Sequence, residues 1–333
     1  MSSTSEVPAL TDLSNLNNLT SLPQVSGLQV IVKQETPFLP KVAFTLISLA
    51  SLGGASFTGT LTGLSWFEIV ARWVTIWAVG LAGGFAVWRT FYLRDSDPEA
   101  AQDAVDALNA TALARAKLVG RVLAPVVLLG LGGALLTPYL AMQPGLQWTL
   151  VAALVILASA LLVGIDRREA SAVAVLTSLA AVGVWAFADT GSTFGWEAWV
   201  RVAHLSAFTL WLGGAVWNIW VAMPSGRKHA NVDAVVAGAH QLDRFRWVVR
   251  FALPTIIVTG LIMAGVYRAF PIEWWVQFPG VLIPLKVGAI IALVVVFIAC
   301  PLFRHCSPVQ GVCNLDDLEN QEPAQEGTTG GGH

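Results

Sequence analysis

Residues 201 to 217 read Arg201-Val-Ala-His204-Leu-Ser-Ala-Phe208-Thr-Leu-Trp211-Leu-Gly213-Gly214-Ala-Val-Trp217. The run is apolar and close to the ~20 residues that cross a bilayer as a helix, yet it carries an arginine and a histidine near one end. An ionisable group in such a segment is costly in hydrocarbon and marks a candidate functional position. Arg201, His204, Phe208 and Trp211 follow at i, i+3, i+7 and i+10, on one side of the helix. The glycine pair beneath them leaves room for a neighbouring backbone. The plain alternative is a histidine hydrogen-bonded inside a helix bundle, with no further role.

Composition sets the environment. Of 333 residues, 55% are hydrophobic and only 12% charged, and the mean hydropathy is +0.66, a balance that belongs to a membrane protein rather than a soluble domain. Fourteen tryptophans against three tyrosines suit an interfacial aromatic belt. The formal net charge of -2 and the scatter of the basic residues between apolar runs argue against nucleic acid. The three cysteines, Cys300, Cys306 and Cys313, make no disulfide framework. The polar first forty residues lack a charged start followed by an apolar core, so no signal peptide is expected.

Eight stretches approach spanning length: about 42–62, 69–90, 121–141, 147–165, 170–188, 199–221, 250–269 and 281–303. Basic residues orient them. Fifteen, among them Arg89, Arg115, Arg121, Arg168, Arg227 and Arg304, fall on one side of this scheme, and Arg72, Arg201, Arg268 and Lys286 on the other. The positive-inside rule then places both termini in the cytoplasm. Two inner segments, about 91–120 and 222–249, are the long connections.

An internal repeat runs through the chain. Leu113 to Pro125 aligns without gaps on Leu242 to Pro254, with identities at Leu113/Leu242, Arg115/Arg244, Val119/Val248, Arg121/Arg250 and Pro125/Pro254. At the same offset of 129 residues, Arg72, Gly84 and Trp88 match Arg201, Gly213 and Trp217. The expectation is an all-α integral membrane protein of eight transmembrane helices in two parallel four-helix repeats. Residues 1–40 read as a polar tail or interfacial segment, 41–165 and 170–304 as the repeats, and 305–333 as a disordered cytoplasmic tail. The repeat isolates His204, whose counterpart is Thr75, and Trp211, whose counterpart is Ala82. Only the second half carries an imidazole.

Several groups fall at similar depth to His204: Met263 on the seventh span, Lys286 on the eighth and Arg72 on the second. Imidazole and thioether suit copper, the soft sulfur favouring the cuprous ion. One His with one Met can also hold haem b, whereas a second histidine at that level is lacking. Cys300, Cys306 and Cys313 at the inner mouth could receive Cu(I). Four cations near a cation site need an offsetting acid, for which Glu68, Glu197 or Glu273 are the candidates.

The second half resembles the copper-resistance D (CopD) family of prokaryotic membrane proteins. The resemblance rests on His204 followed after six residues by Trp211-Leu-Gly-Gly, then Phe245 to Gly265 with Thr259-Gly260-Leu261, then Lys286 opening a last helix that closes at Arg304. It covers about residues 197–304 and implies eight spans in the plasma membrane, copper as cargo and His204 at an outer-side copper site. Family members often carry a Gly-His pair in the loop ahead of this helix, where this chain reads Asp189-Thr-Gly-Ser-Thr193. Sequence thus assigns His204, Met263, Cys300, Cys306 and Cys313 to metal, and Arg72, Arg201, Trp211 and Lys286 to the surroundings of a cofactor. Lipid and membrane or periplasmic proteins are the partners expected. A haem- or quinone-associated subunit of a respiratory complex, and a structural subunit without a site, are the alternatives.

Overall fold

The computed structural model describes residues 38–299 except 137–143, 192–194 and 230. The polar tail, Met142, the three cysteines and the acidic C-terminal segment lie outside the described residues. Within them every regular element is helical: α1 (Phe38–Leu61), α2 (Trp66–Tyr92), α3 (Gln102–Leu136), α4 (Pro144–Gly164), α5 (Arg168–Ala188), α6 (Trp196–Trp217), α7 (Met223–Lys228), α8 (Val232–Ala264), α9 (Ile272–Val276) and α10 (Leu282–Ala299). A π-turn over Asn218–Ala222 carries α6 into α7.

Seven helical segments are long and apolar enough to cross a membrane, the last ending at Tyr267; a shorter apolar helix follows over Leu282–Val295. Large apolar side chains such as Leu118, Val122 and Leu129 on α3, Leu176 and Leu179 on α5, and Leu285 and Ile291 on α10 face outward. Hydrocarbon covers such surfaces without cost, whereas water does not. The chain is built as a multi-pass membrane protein.

Local chemistry sets the helix starts. Ser65 and Glu68 form a reciprocal capping box on α2, and Asn231 accepts the Ala234 N–H at the start of α8. The segments expected as long connections are therefore largely helix. α3 and α8 extend well beyond the apolar region, because Ala-rich sequence from 101 to 116 and the Asn231 cap allow helix where the apolar pattern stops. These extensions are tied side by side. Gln241 donates to the Asn109 side-chain oxygen at 3.0 Å, Thr111 bonds His229 at 2.7 Å, and His240 donates to Asp97 at 2.8 Å.

At the centre α2 crosses α6 through glycine. A Cβ added at Gly84 would meet the Gly213 Cα at 2.8 Å, and one added at Gly213 would run into the Gly84 backbone. The Trp88 indole N–H donates to the Leu210 carbonyl at 2.7 Å across the same interface. α4 presents Leu150, Leu154, Leu157 and Leu161, all fully buried, at the spacing that puts one helix face against α3 and α5.

Two outcomes follow. Gly213→Ala should lower stability by about 1–3 kcal/mol through overpacking, read as a lower unfolding midpoint in micelles. Gly183→Ala, with open space around its Cβ position, should not. The Asp97 side chain is 1% exposed. Burial works against its ionisation, but the Glu99 N–H, His240 and Arg94 outweigh burial and hold its pKa below the ordinary carboxylate value. A depressed carboxylate stabilises the fold above its unfolded pKa, ~3.9, and loses that contribution as pH falls through the lower folded value. Hydrogen exchange at the α3–α8 extensions should therefore quicken below about pH 4, and Asp97→Asn should remove the pH dependence while exchanging fast throughout.

Candidate functional site

α6 delivers Arg201 and His204 to the end of the bundle where α2 starts and α5 and α8 finish. There Arg72 of α2 and Arg201 of α6 share a single carboxylate, that of Asp189. Asp189 closes α5, its N–H bonded to the Trp185 and Phe187 carbonyls. The Arg72 guanidinium donates to Oδ1 and lies 5.4 Å from the centre of the Trp185 ring, while Arg201 Nη1 donates to Oδ2 at 3.3 Å. In a low-dielectric bundle two guanidinium groups this close require an anion between them. The offsetting acid is thus Asp189. Glu68, one of the acids expected for that role, instead accepts the Ser65 N–H and hydroxyl at 2.8 and 2.7 Å.

His204 is oriented by α8. Its Nδ1 lies 2.9 Å from the Thr259 hydroxyl, and that hydroxyl donates its one proton back to the Thr255 carbonyl. With the Thr259 proton on the Thr255 carbonyl, the hydroxyl accepts from the ring, which assigns the hydrogen to Nδ1 and leaves Nε2 its lone pair. Gly260, one residue on, leaves space: a Cβ there would stand 3.6 Å from His204 Cε1.

The corresponding place on α2 is closed. Thr75 is fully buried and its hydroxyl lies 2.9 Å from the carbonyls of both Ala71 and Gly130. Thr75 and Gly130 precede His204 and Thr259 by 129 residues each. The same two positions touch in both places, and in the second His204 borders a cavity.

That cavity has two chambers. A smaller one of about 180 Å³ is lined by Arg72, Trp185, Asp189 and Ser51. A larger one of about 580 Å³ runs between α1, α8 and α10 past Phe57, Ile257, Leu261, Tyr267 and Ile291. Arg201, His204, Met263 and Lys286 border both. The sequence-derived residues Arg72, Arg201, His204, Met263 and Lys286 are thus brought together. Trp211 is not: it is packed in the core with Phe208 and Leu212 and borders neither chamber, because its position points its ring between helices. Cys300, Cys306 and Cys313 lie outside the described residues.

Asp189 and Thr259 are the site residues that sequence reasoning passed over. Asp189 had one usable signal: a lone acid at the end of an apolar span, at the level of two repeated arginines. For Thr259 the family resemblance named the position but gave no role.

The chambers can hold a metal ion or a molecule with a polar head. The described donors are one imidazole nitrogen and one thioether, and among the described residues no group of three or more His, Cys, Asp and Glu side chains comes together. Asp189→Asn should cost on the order of 3 kcal/mol by stranding two buried guanidinium groups. Arg201→Gln, which leaves Arg72 paired and alters a group about a third exposed, should cost about 1 kcal/mol or less. Unfolding midpoints in micelles compare the two; equal effects would show that the shared carboxylate does not organise this end. No family model, characterised protein or solved structure matches the chain.

Proposed function

We propose that the chain is a copper-binding or copper-translocating membrane protein of the copper-resistance D type, in the plasma membrane of a prokaryote, with its metal site on the outer side. The observation that carries this reading is the His204–Thr259 hydrogen bond. With the Thr259 proton on the Thr255 carbonyl, this bond assigns the ring tautomer so that the Nε2 lone pair is left for a chamber that Met263 also borders. Imidazole and thioether together favour Cu(I) as cargo. Asp189 removes half of the arginine charge that would repel a cation, and Thr259 acts as the outer partner that orients a ligating imidazole.

The eight-helix, two-repeat architecture belongs to the same reading, with α10 as the eighth span. Residues 129 apart make like contacts: Gly84 against Gly213, Arg72 beside Arg201 on one carboxylate, and Thr75–Gly130 beside His204–Thr259. Pro125 and Pro254 both lie inside their helices, α3 and α8. Arg94, Arg115, Arg121, Arg167 and Arg227 gather at the end opposite His204, which supports a cytoplasmic location for that end.

Purified protein loaded with Cu(I) under reducing conditions should carry one copper per chain by elemental mass spectrometry. His204→Ala should lose it and Thr75→Ala should keep it. A reduced b-type haem spectrum without copper would replace this reading by the respiratory-subunit alternative. Neither copper nor haem, with His204→Ala indistinguishable from wild type, would leave the structural one.

A further inference from the structure

We propose that the gap between α8 and α10 is a lateral binding site for one acidic membrane lipid, its anionic head paired with Lys286 and its tail in the apolar chamber below. The gap is a local departure from how the rest of the bundle packs. α3 and α4 lie against each other along much of their length, whereas α8 and α10 make no such extended contact, and α10 leans on α1 instead. On the repeat reading these two helix pairs are counterparts, one closed and one open. Leu157, the residue 129 before Lys286, is fully buried in the closed pair.

The space left is about 580 Å³. It lies within the ~300–1,000 Å³ of small-molecule sites and far exceeds the ~30 Å³ that a single water occupies in the liquid. A bare ion leaves nearly all of it empty. Its walls are mostly aliphatic, from Ile257 and Leu261 on α8 and Val287, Ile291 and Val295 on α10. Leu261, Val287, Ile291 and Val295 are also exposed on the outer surface of the bundle. The chamber therefore opens sideways into the bilayer, which supplies the occupant.

Charge selects the head. Lys286 has no carboxylate within ion-pair distance among the described residues, and Asp189 is already shared by two arginines. The Lys286 ammonium packs against α1, where a Cβ on Gly54 would meet Nζ at 2.9 Å. Lys286 stands four residues into α10, roughly 6 Å along the axis, within reach of a head that enters the bundle from the start of that helix. Tyr267 and Trp275 border the chamber there, as aromatic residues do at the membrane interface. A phosphate or carboxylate head at this level meets an ammonium in a region of low dielectric, where an unpaired cation is costly.

Copper takes no part in this binding, so the lipid and metal readings fail separately. The test is native mass spectrometry of delipidated, copper-free protein titrated with dioleoyl phosphatidylglycerol or dioleoyl phosphatidylcholine. Wild type should retain one phosphatidylglycerol with at least a tenfold preference over phosphatidylcholine. Lys286→Arg should keep that preference, Lys286→Met should lose it, and Gly260→Leu, which fills the gap while leaving Lys286 in place, should weaken both lipids. Equal retention of the two lipids by wild type, or an undiminished preference in Lys286→Met, would overturn the site. Displacement of the lipid by millimolar inorganic phosphate would overturn it too, in favour of a free-anion pocket.

Discussion

The crossing of α2 and α6 at Gly84 and Gly213 is the contact from which the rest of the site follows. Two backbones meet where neither residue has room for a Cβ, and such close approach is how membrane helices gain packing that the solvent does not drive. Arg72 and Arg201 each lie twelve residues before their glycine, roughly 18 Å along the helix. Equal arms from one crossing bring the two guanidinium groups to the same level, and Asp189 at the end of α5 completes the group. His204, one turn beyond Arg201, is then held at the edge of the bundle where α8 can hydrogen-bond it.

On the proposed duplication, the two halves of the chain use one plan for different ends. Position 75 is a fully buried threonine whose hydroxyl lies within hydrogen-bond distance of two carbonyls; position 204 is an imidazole with one nitrogen tied to Thr259 and a cavity beside it. Leucine at 157 fills a tight helix contact, while lysine at 286 borders an open one. On that proposal, scaffold has been kept in the first half and chemistry placed in the second. The charge left on Lys286 is the main physical cost of that arrangement, and an acidic lipid head would lower it beside the proposed metal site as well.

Seven of the expected spans were legible because length and apolar content decide them, and most of their helix ends fall within a few residues of the stretches read from sequence; the eighth stretch holds a shorter apolar helix. The two long connections were not, since hydropathy is silent about a helix that continues past its apolar stretch; the Asn231 cap and the alanine-rich run from 101 were the signals to weigh. Of the site, the periodicity of Arg201 and His204 and their shared depth with Lys286 and Met263 were readable. The pairing of Arg72 with Asp189, 117 residues away, was not, because nothing local to either residue encodes the meeting. Trp211 shows the reverse error in expectation: a side chain on the same helical stripe as His204 can still be turned into the core by a neighbouring helix.

X-ray absorption at the copper edge of Cu(I)-loaded protein tests the central claim most directly. The account predicts a first shell with both nitrogen and sulfur, losing the nitrogen in His204→Ala and the sulfur in Met263→Leu. A sulfur-only shell that neither substitution changes would contradict it, placing the metal on thiols elsewhere in the chain and leaving the His204 chamber to another ligand.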